Sequence, residues 1–318
     1  SDEWVATDYW WNERLREINS TRKKGAIEDR DLLALKSWLV NQYGIELSVS
    51  IILEGVQLDA DGRPRNPLTE WLDDCAANTE DPDNLFDDWL SVAFGCEDTD
   101  LIRAYSRKFL ISAVARAYSP GCRVDSVLTL VGAQGAGKSS GFQILAPDGH
   151  FSDSHLDLSS KDSYAQLARS WIYEISELAS FTKREHELVK AWVSSREDVY
   201  REPYARLVIR RPRQSVLVAT TNDATPLSDP TGSRRFWVVP IDTLDREFLA
   251  EQKRVLWGAA VRAYKSGSIW WLDAEEEKDR VRQARGFSRE NPMSAAILKL
   301  LSTTLEPVFT TAEIFDKL

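Results

Sequence analysis

Lys138 and Ser139 are the residues of this chain whose types and spacing imply the most chemistry. They close the run Gly132-Ala133-Gln134-Gly135-Ala136-Gly137-Lys138-Ser139-Ser140. A glycine, four residues and then Gly-Lys-Ser/Thr fit the phosphate-loop pattern. In that pattern the backbone N–H groups, here those of Gly132, Gly135, Ala136, Gly137 and on through Ser140, turn inward around phosphate oxygens, and side chains would block the approach. Lys138 is placed to reach the β- and γ-phosphates, and the Ser139 hydroxyl to bind Mg²⁺. The ligands this predicts are ATP and Mg²⁺. The bland alternative is a glycine-rich turn with a stray lysine.

A phosphate loop only binds; hydrolysis needs carboxylates at the end of another strand. Glu174 and Glu177 follow the apolar run Trp171-Ile172-Tyr173, at the strand edge where ligands sit in parallel α/β sheets. Glu174 is cast as the metal-side carboxylate and Glu177 as the base that polarises water; two surface glutamates flanking a strand is the alternative. Asn222 follows the strand Ser215–Thr220. Its amide can bond the γ-phosphate or the attacking water, or it is an ordinary turn asparagine. Arg234-Arg235 precede a further strand. A guanidinium there could stabilise developing charge on its own loop or on a neighbouring subunit's, or belong to a surface pair. Between Arg196 and Arg213 lie six arginines (Arg196, Arg201, Arg206, Arg210, Arg211, Arg213) against three acids, interleaved with Tyr200 and Tyr204. Cations with aromatic rings suit single-stranded nucleic acid; an arginine-rich hairpin paired with nearby acids is the alternative.

These residues need a parallel sheet to position them. Val127–Val131 reads as a buried strand, and the period of apolar residues predicts helices at 138–145, 163–169 and 183–194. Strands are expected at 215–220 and 236–241. The alternation is that of an α/β fold, a P-loop (AAA+-like) parallel sheet flanked by helices. Upstream, a strand or hairpin is expected at 4–11, then helices at 28–43, 48–56, 68–74, 84–92 and from Asp98 or Thr99 to Tyr118, with a loop at 59–67. Downstream, 246–265 and 274–284 read as helices, and 309–315 could open a winged-helix module. The division this gives is a mainly helical region at 1–122, an ATPase core at 123–245 and a C-terminal helical lid at 246–318.

Composition narrows the class. The chain has 318 residues, 43% hydrophobic and 28% charged, which is ordinary for a globular protein. No apolar run approaches membrane-spanning length. Cys75, Cys96 and Cys122 form no Cys-x-x-Cys pair and the three histidines are scattered, so neither a zinc site nor a disulfide framework is expected, and a reducing cytoplasm suits the chain. A net charge of −10 argues against indiscriminate coating of nucleic acid but leaves room for a local basic channel. From Asp73 to Asp100 there are ten carboxylates and no Lys or Arg, the pattern of a solvated acidic surface. Met293 is the sole methionine, and the chain reads as a piece of a longer protein.

Taken together, several stretches resemble the virulence-associated E family, phage and mobile-element proteins related to the helicase part of poxvirus-type primase–helicases within superfamily III. They are Ala113–Arg116 with Pro120-Gly121, Gly132–Ser139, Phe151–Asp153, Lys161-Asp162, Trp171–Glu177, Asp198–Tyr204, Thr220–Asn222 and Asp229–Trp237. The resemblance is dense from 109 to 240. It implies a ring-forming ATPase, usually hexameric, with nucleotide at subunit interfaces. Lys138 and Ser139 would match the loop pair, Glu174 and Glu177 the second motif, Asn222 the sensor, and Arg234 or Arg235 the finger. The Arg201–Arg213 stretch would match the pore hairpin that grips single-stranded or forked DNA. A primase domain, fused or separate, would be a partner. The acids depart from the related helicases in being split as Glu-x-x-Glu. The reading this supports is an ATP-driven DNA helicase or translocase. The alternatives are a nucleotide-gated DNA-binding or assembly ATPase that unwinds nothing, and a small-molecule kinase built on the same loop.

Overall fold

The computed structural model describes residues 8–21, 23–81, 83–154, 161–177, 183–201, 208–223 and 233–287. At its centre is a five-stranded, wholly parallel sheet. The strands are β5 (Val127–Val131), β6 (Phe151–Ser152), β7 (Ile172–Ile175), β10 (Val216–Thr221) and β11 (Phe236–Pro240), in the spatial order β11-β5-β10-β7-β6. The central strands are buried along their whole length, as a sheet covered on both faces requires. Alternate residues feed two cores. Leu128, Leu130, Ile172, Val216, Val218, Trp237 and Val239 face one side; Val127, Val131, Tyr173, Ile175, Leu217, Ala219 and Val238 face the other.

The second face is covered by α7 (Lys161–Arg169) and α8 (Lys183–Ser194), through Leu167, Val189, Trp192 and Val193. The first face is larger. There α3 (Pro67–Asn78), α4 (Leu85–Phe94), α5 (Asp100–Tyr118), α6 (Lys138–Leu145) and α9 (Arg246–Lys265) share one core with the sheet. Thr99 caps α5 by accepting from the Ile102 N–H at 3.2 Å. Trp171 and Trp257 pack within this core with ring centroids 4.4 Å apart and planes tilted by 42°. The Trp171 indole donates to the Ala113 carbonyl at 2.9 Å. Helices α3, α4 and α5, upstream of the sheet, are therefore part of its hydrophobic core.

The amino-terminal part holds a second, four-stranded sheet. Strands β1 (Tyr9–Asn12), β2 (Glu17–Ser20), β3 (Lys23–Ala26) and β4 (Pro64–Arg65) lie in the order β3-β2-β1-β4. It packs with α1 (Asp29–Tyr43) and α2 (Val49–Asp61) around Leu32, Ile52 and Val56. Helix α2 runs into the segment expected as a loop, reaching Asp61 before Gly62 ends it. The hairpin expected at 4–11 begins at Tyr9; residues 4–7 lie outside the described residues, as does the winged-helix opening expected at 309–315. Strands β8 (Glu197–Tyr200) and β9 (Ile209–Pro212) form a separate antiparallel hairpin. The last described helix is α10 (Ala274–Gly286), opened by a capping box between Asp273 and Glu276. No helix of the described residues is long and apolar enough to cross a membrane.

Candidate active site

The loop 132–137 leaves β5 and enters α6 with Lys138 as the first helical residue. Two of its glycines are required by close packing. A Cβ on Gly132 would lie 2.8 Å from the Ile241 carbonyl oxygen, and one on Gly137, whose φ is +90°, would lie 2.7 Å from the Leu244 Cβ. Leu244 N–H also donates to the Ala136 carbonyl at 3.0 Å. The segment entering α9 is thus pressed onto the loop.

Lys138 is buried, and its Nζ donates to the Gly132 and Ala133 carbonyls at 2.7 and 2.8 Å and to Asn222 Oδ1 at 2.8 Å. The structure therefore brings Lys138 and Asn222 into direct contact across β5 and β10. Burial lowers the Lys138 pKa, and the Glu174 charge acts in the opposite direction.

The sequence pattern puts Glu174 at the end of its strand. In the structure it sits within β7, opposite Val218 of β10, and is 1% exposed. It shares the sheet face of Ile172, the side where α6 packs. Its Oε1 accepts from Ser139 Oγ at 2.7 Å and from Thr220 Oγ1 at 2.5 Å. Its Oε2 is buried without a hydrogen-bond partner. Burial raises the Glu174 pKa, opposed by the two hydroxyl hydrogen bonds. A buried carboxylate oxygen left unpartnered carries a large desolvation cost, which a cation beside it would offset.

Glu177 lies past the end of β7, exposed, with a left-handed backbone (φ +53°) that turns the chain there. It lines a cavity of about 340 Å³ with Gly135, Gly137, Lys138, Ser139 and Asn222. Ser140 lines the same space and accepts from Arg246 Nη2 at 2.9 Å; Ala136, in the same loop, is buried.

Two residues of this site escape sequence reasoning. Thr220 lies near the end of an apolar strand in a Thr-Thr-Asn run, and that polar finish is its signal. Arg246 is the first residue of α9, where a cation opposes the helix dipole. A residue placed against local preference is itself a signal of another role.

Arg234 and Arg235 are not in this cavity. They precede β11, whose Phe236 pairs with Val127 and whose Pro240 pairs with Val131. The arginines thus sit at the amino edge of the sheet and the glycine loop at its carboxyl edge, about 15 Å away at roughly 3.3 Å per residue. Neither can serve its own loop without a change of structure. Arg234 is exposed, and Arg235 Nε donates to Ser194 Oγ at 3.1 Å.

The arginine-rich segment divides. Arg201 and Arg210 are exposed, Arg210 lying 3.6 Å from Glu197, and Arg206 and Tyr204 lie outside the described residues. Arg211 and Arg213, expected among the DNA-gripping cations, are instead buried and internally bound. Arg213 is paired with buried Asp198 and donates to the Trp192 carbonyl. Arg211 donates to the Tyr200 hydroxyl at 3.2 Å and to the carbonyl of buried Arg14, in the β1–β2 turn. Their donors face inward because the hairpin alternates: Asp198, Tyr200, Arg211 and Arg213 share its buried side.

The sequence profile of the virulence-associated protein E-like domain matches residues 72–289. No curated protein matches the chain. Among solved structures, an A-form apo structure of the C-terminal region of NrS-1 (305–718) superposes with a TM-score of 0.53 at 12% identity, covering 98% of this chain and 82% of that one. A second apo structure of the same region gives 0.50 at the same identity and coverage. At that identity the likeness is one of fold. The matched residues run from α3 to the end of α10, take in the whole cavity and exceed half of the chain; the chain belongs to the virulence-associated protein E-like domain family.

Proposed function

We propose that this domain is an ATP-hydrolysing P-loop motor of AAA+-like type, from the replication machinery of a phage or other mobile element, with α9 and α10 as a helical lid. The observation that carries the reading is the buried, half-satisfied Glu174 carboxylate hydrogen-bonded to Ser139, which lines the cavity together with Lys138 and Asn222. For Mg²⁺ the fit is good. Ser139 Oγ and the unpartnered Glu174 Oε2 offer two hard oxygens, and no cluster of three or more His, Cys, Asp or Glu occurs among the described residues. That suits an ion that keeps waters and takes other ligands from phosphates. When bound, Mg²⁺ would neutralise charge on the transferred phosphoryl group.

The chain's own groups have separable roles. Lys138 exchanges its carbonyl and amide partners for β/γ-phosphate oxygens, and Asn222, released from Lys138, is free to orient the attacking water. Glu177, exposed on the cavity wall, takes the water's proton. Arg246 supports the phosphates from the α9 side. Arg234 or Arg235, set on the far edge of the sheet, completes the site of a neighbouring copy, which makes the working form a ring with shared active sites, a hexamer in the form expected. Single-stranded or forked DNA is the proposed track, gripped through Arg201, Arg206 and Arg210. A primase, fused or separate, is the proposed partner and the cytoplasm the proposed location. ATP hydrolysis measured with and without single-stranded DNA tests this: hydrolysis lost in Lys138→Ala and stimulated by DNA in the wild type is expected, and an absence of DNA stimulation sinks the motor.

A second reading has one observation in its favour. Burial of Arg211 and Arg213 takes two cations out of the proposed DNA-gripping set. A nucleotide-gated DNA-binding or assembly ATPase, with low turnover independent of DNA, needs fewer.

A further inference from the structure

A second cavity, of about 530 Å³, opens at the amino edge of the sheet, the edge opposite the glycine loop. Its size falls in the range of small-molecule sites. Its walls combine Arg234 and Arg235 with Trp270, Trp271, Asp125 and Glu277. The two carboxylates already have cations: Asp125 pairs with Arg123 at 2.5 Å, and Glu277 pairs with Arg280 through bonds of 2.8 and 2.9 Å. Arg234 has no ion pair among the described residues, and Arg235 donates to the neutral Ser194 hydroxyl. Among the described residues, the cavity is therefore left with two guanidiniums that no carboxylate compensates.

Its aromatic wall is fixed. Trp271 is 54% exposed, yet its backbone carbonyl accepts from buried Lys108 at 2.9 Å, and Lys108 is in turn paired with Glu276 at the start of α10. Trp270 lies edge-on to Trp271 at 5.3 Å and donates its indole N–H to the Arg123 carbonyl at 2.8 Å. A large apolar ring half in water, on a backbone pinned by a buried lysine, is a preformed stacking surface. Next to it, two guanidiniums without a carboxylate partner among the described residues call for an anion with bidentate acceptors. One ligand class carries both an aromatic face and such an anion: a nucleoside phosphate.

We infer that the Trp271–Arg234 cavity is a second nucleotide site, binding a nucleoside triphosphate with its base stacked on Trp271 and its phosphates on Arg234 and Arg235. Asp125 and Glu277 keep lone pairs free of their arginines and can accept from an exocyclic amino group of the base. The nucleotide has two possible sources, free solution or the glycine loop of a second copy; the latter rests on the shared-site reading above.

The test uses a fluorescent ATP analogue and protein carrying Lys138→Ala, which disables the glycine loop. In dilute solution, where sedimentation shows single chains, residual binding that falls at least tenfold on adding Trp271→Ala or Arg234→Ala, and returns with Trp271→Phe, assigns the site to free nucleotide. If dilute Lys138→Ala protein binds nothing, it is mixed with Trp271→Ala protein, whose loop is intact. Tighter binding in that mixture than with Trp271→Ala protein alone assigns the site to a neighbour's nucleotide. Indifference to Trp271→Ala in both arms overturns the proposal, provided thermal melting shows the variant folded. Displacement of the analogue by a short oligodeoxynucleotide but not by ATP also overturns it, in favour of a DNA strand. ATP hydrolysis by the wild type reads the glycine loop separately, so failure of this site and failure of the motor are distinct results.

Discussion

Ser139 Oγ donates to Glu174 Oε1 at 2.7 Å, tying the first turn of α6 to the middle of β7. The other oxygen of that carboxylate, Oε2, is buried with no hydrogen-bond partner. In the proposed function this pair is what would hold a cation beside the phosphate.

Glu174→Gln removes a buried negative charge. Burial raises the folded-state pKa of Glu174 above its ordinary value near 4.5, so the folded protein holds this proton more tightly than the unfolded chain. Its contribution to stability is fully present below the unfolded pKa and is lost as pH rises through the folded one. The Gln variant, free of ligand, is therefore expected to melt at a higher temperature than the wild type at neutral pH, and the difference to shrink below about pH 4. The same variant is expected to bind ATP and to lose hydrolysis by about 10²-fold or more, a size typical of removing one preorganised polar group. Melting curves across pH, with and without Mg²⁺, check the first part. A destabilised Gln variant at pH 8 would contradict it.

Gly137→Ala tests whether the loop and the entry to α9 are one unit. The new Cβ would meet the Leu244 Cβ at 2.7 Å on a backbone at φ +90°. The left-handed backbone and the overlap together are expected to cost about 2–4 kcal/mol, read from urea unfolding. Nucleotide affinity is expected to fall with it, because the relaxation that relieves the overlap must move the loop or Leu244. Gly135→Ala, where no atom lies within 4 Å of the added Cβ, incurs the backbone part alone and is expected to be the milder of the two.

The hairpin arginines separate by role. Asp198→Ala leaves the Arg213 guanidinium buried and unpaired, and is expected to cost about 3–5 kcal/mol of stability. Arg210→Ala removes an exposed cation and is expected to leave stability within about 0.5 kcal/mol. If the hairpin tracks a DNA backbone, Arg210→Ala lowers the salt slope of DNA affinity by about 1. Titrations at several salt concentrations, beside urea unfolding, distinguish the two. An unchanged slope removes Arg210 from the DNA surface.

Much of this architecture is legible in the chain. Helix ends carry caps or loops that name them: Thr99 before α5, Gly137 before α6, Gly44 after α1. The central parallel strands are dense in Val, Ile and Leu because both faces are covered, and the glycine loop can be read from the residues that follow β5, whereas Glu174, expected at the end of its strand, lies inside it. What is not legible depends on distant pairing. Asp198 and Arg213 lie fifteen residues apart, and only the register of β8 against β9 turns them toward each other. The run of arginines reads as one basic surface, but the period of two within each strand divides it, placing Arg211 and Arg213 inside and Arg210 outside. Arg246 reaches Ser140 across 106 residues of sequence, and no local pattern foretells that. The Trp271 cavity is built from the starts of β5, β11 and α10, which meet only in the folded protein.

Arg246 and Arg234 make opposite predictions about how many chains build one site. Arg246 Nη2 donates to Ser140 Oγ at 2.9 Å within the same chain, so its loss is a defect of the copy that carries it. Arg246→Ala is expected to raise KM for ATP several-fold, with little dependence on protein concentration and no rescue by a second chain defective at Lys138. Arg234 sits at the far edge of the sheet, about 15 Å from its own loop by strand length, and can reach phosphate held on a glycine loop only if that loop belongs to another copy. Mixing Lys138→Ala with Arg234→Ala chains is then expected to restore part of the hydrolysis that each lacks alone. One junction in such a mixture joins an intact loop to an intact arginine. Mixing Lys138→Ala with Arg246→Ala is expected to restore none beyond the residual rate of the latter, because loop and Arg246 must belong to one chain. Rescue in the second mixture, or its absence in the first, would reverse the assignment of which arginine works across the interface.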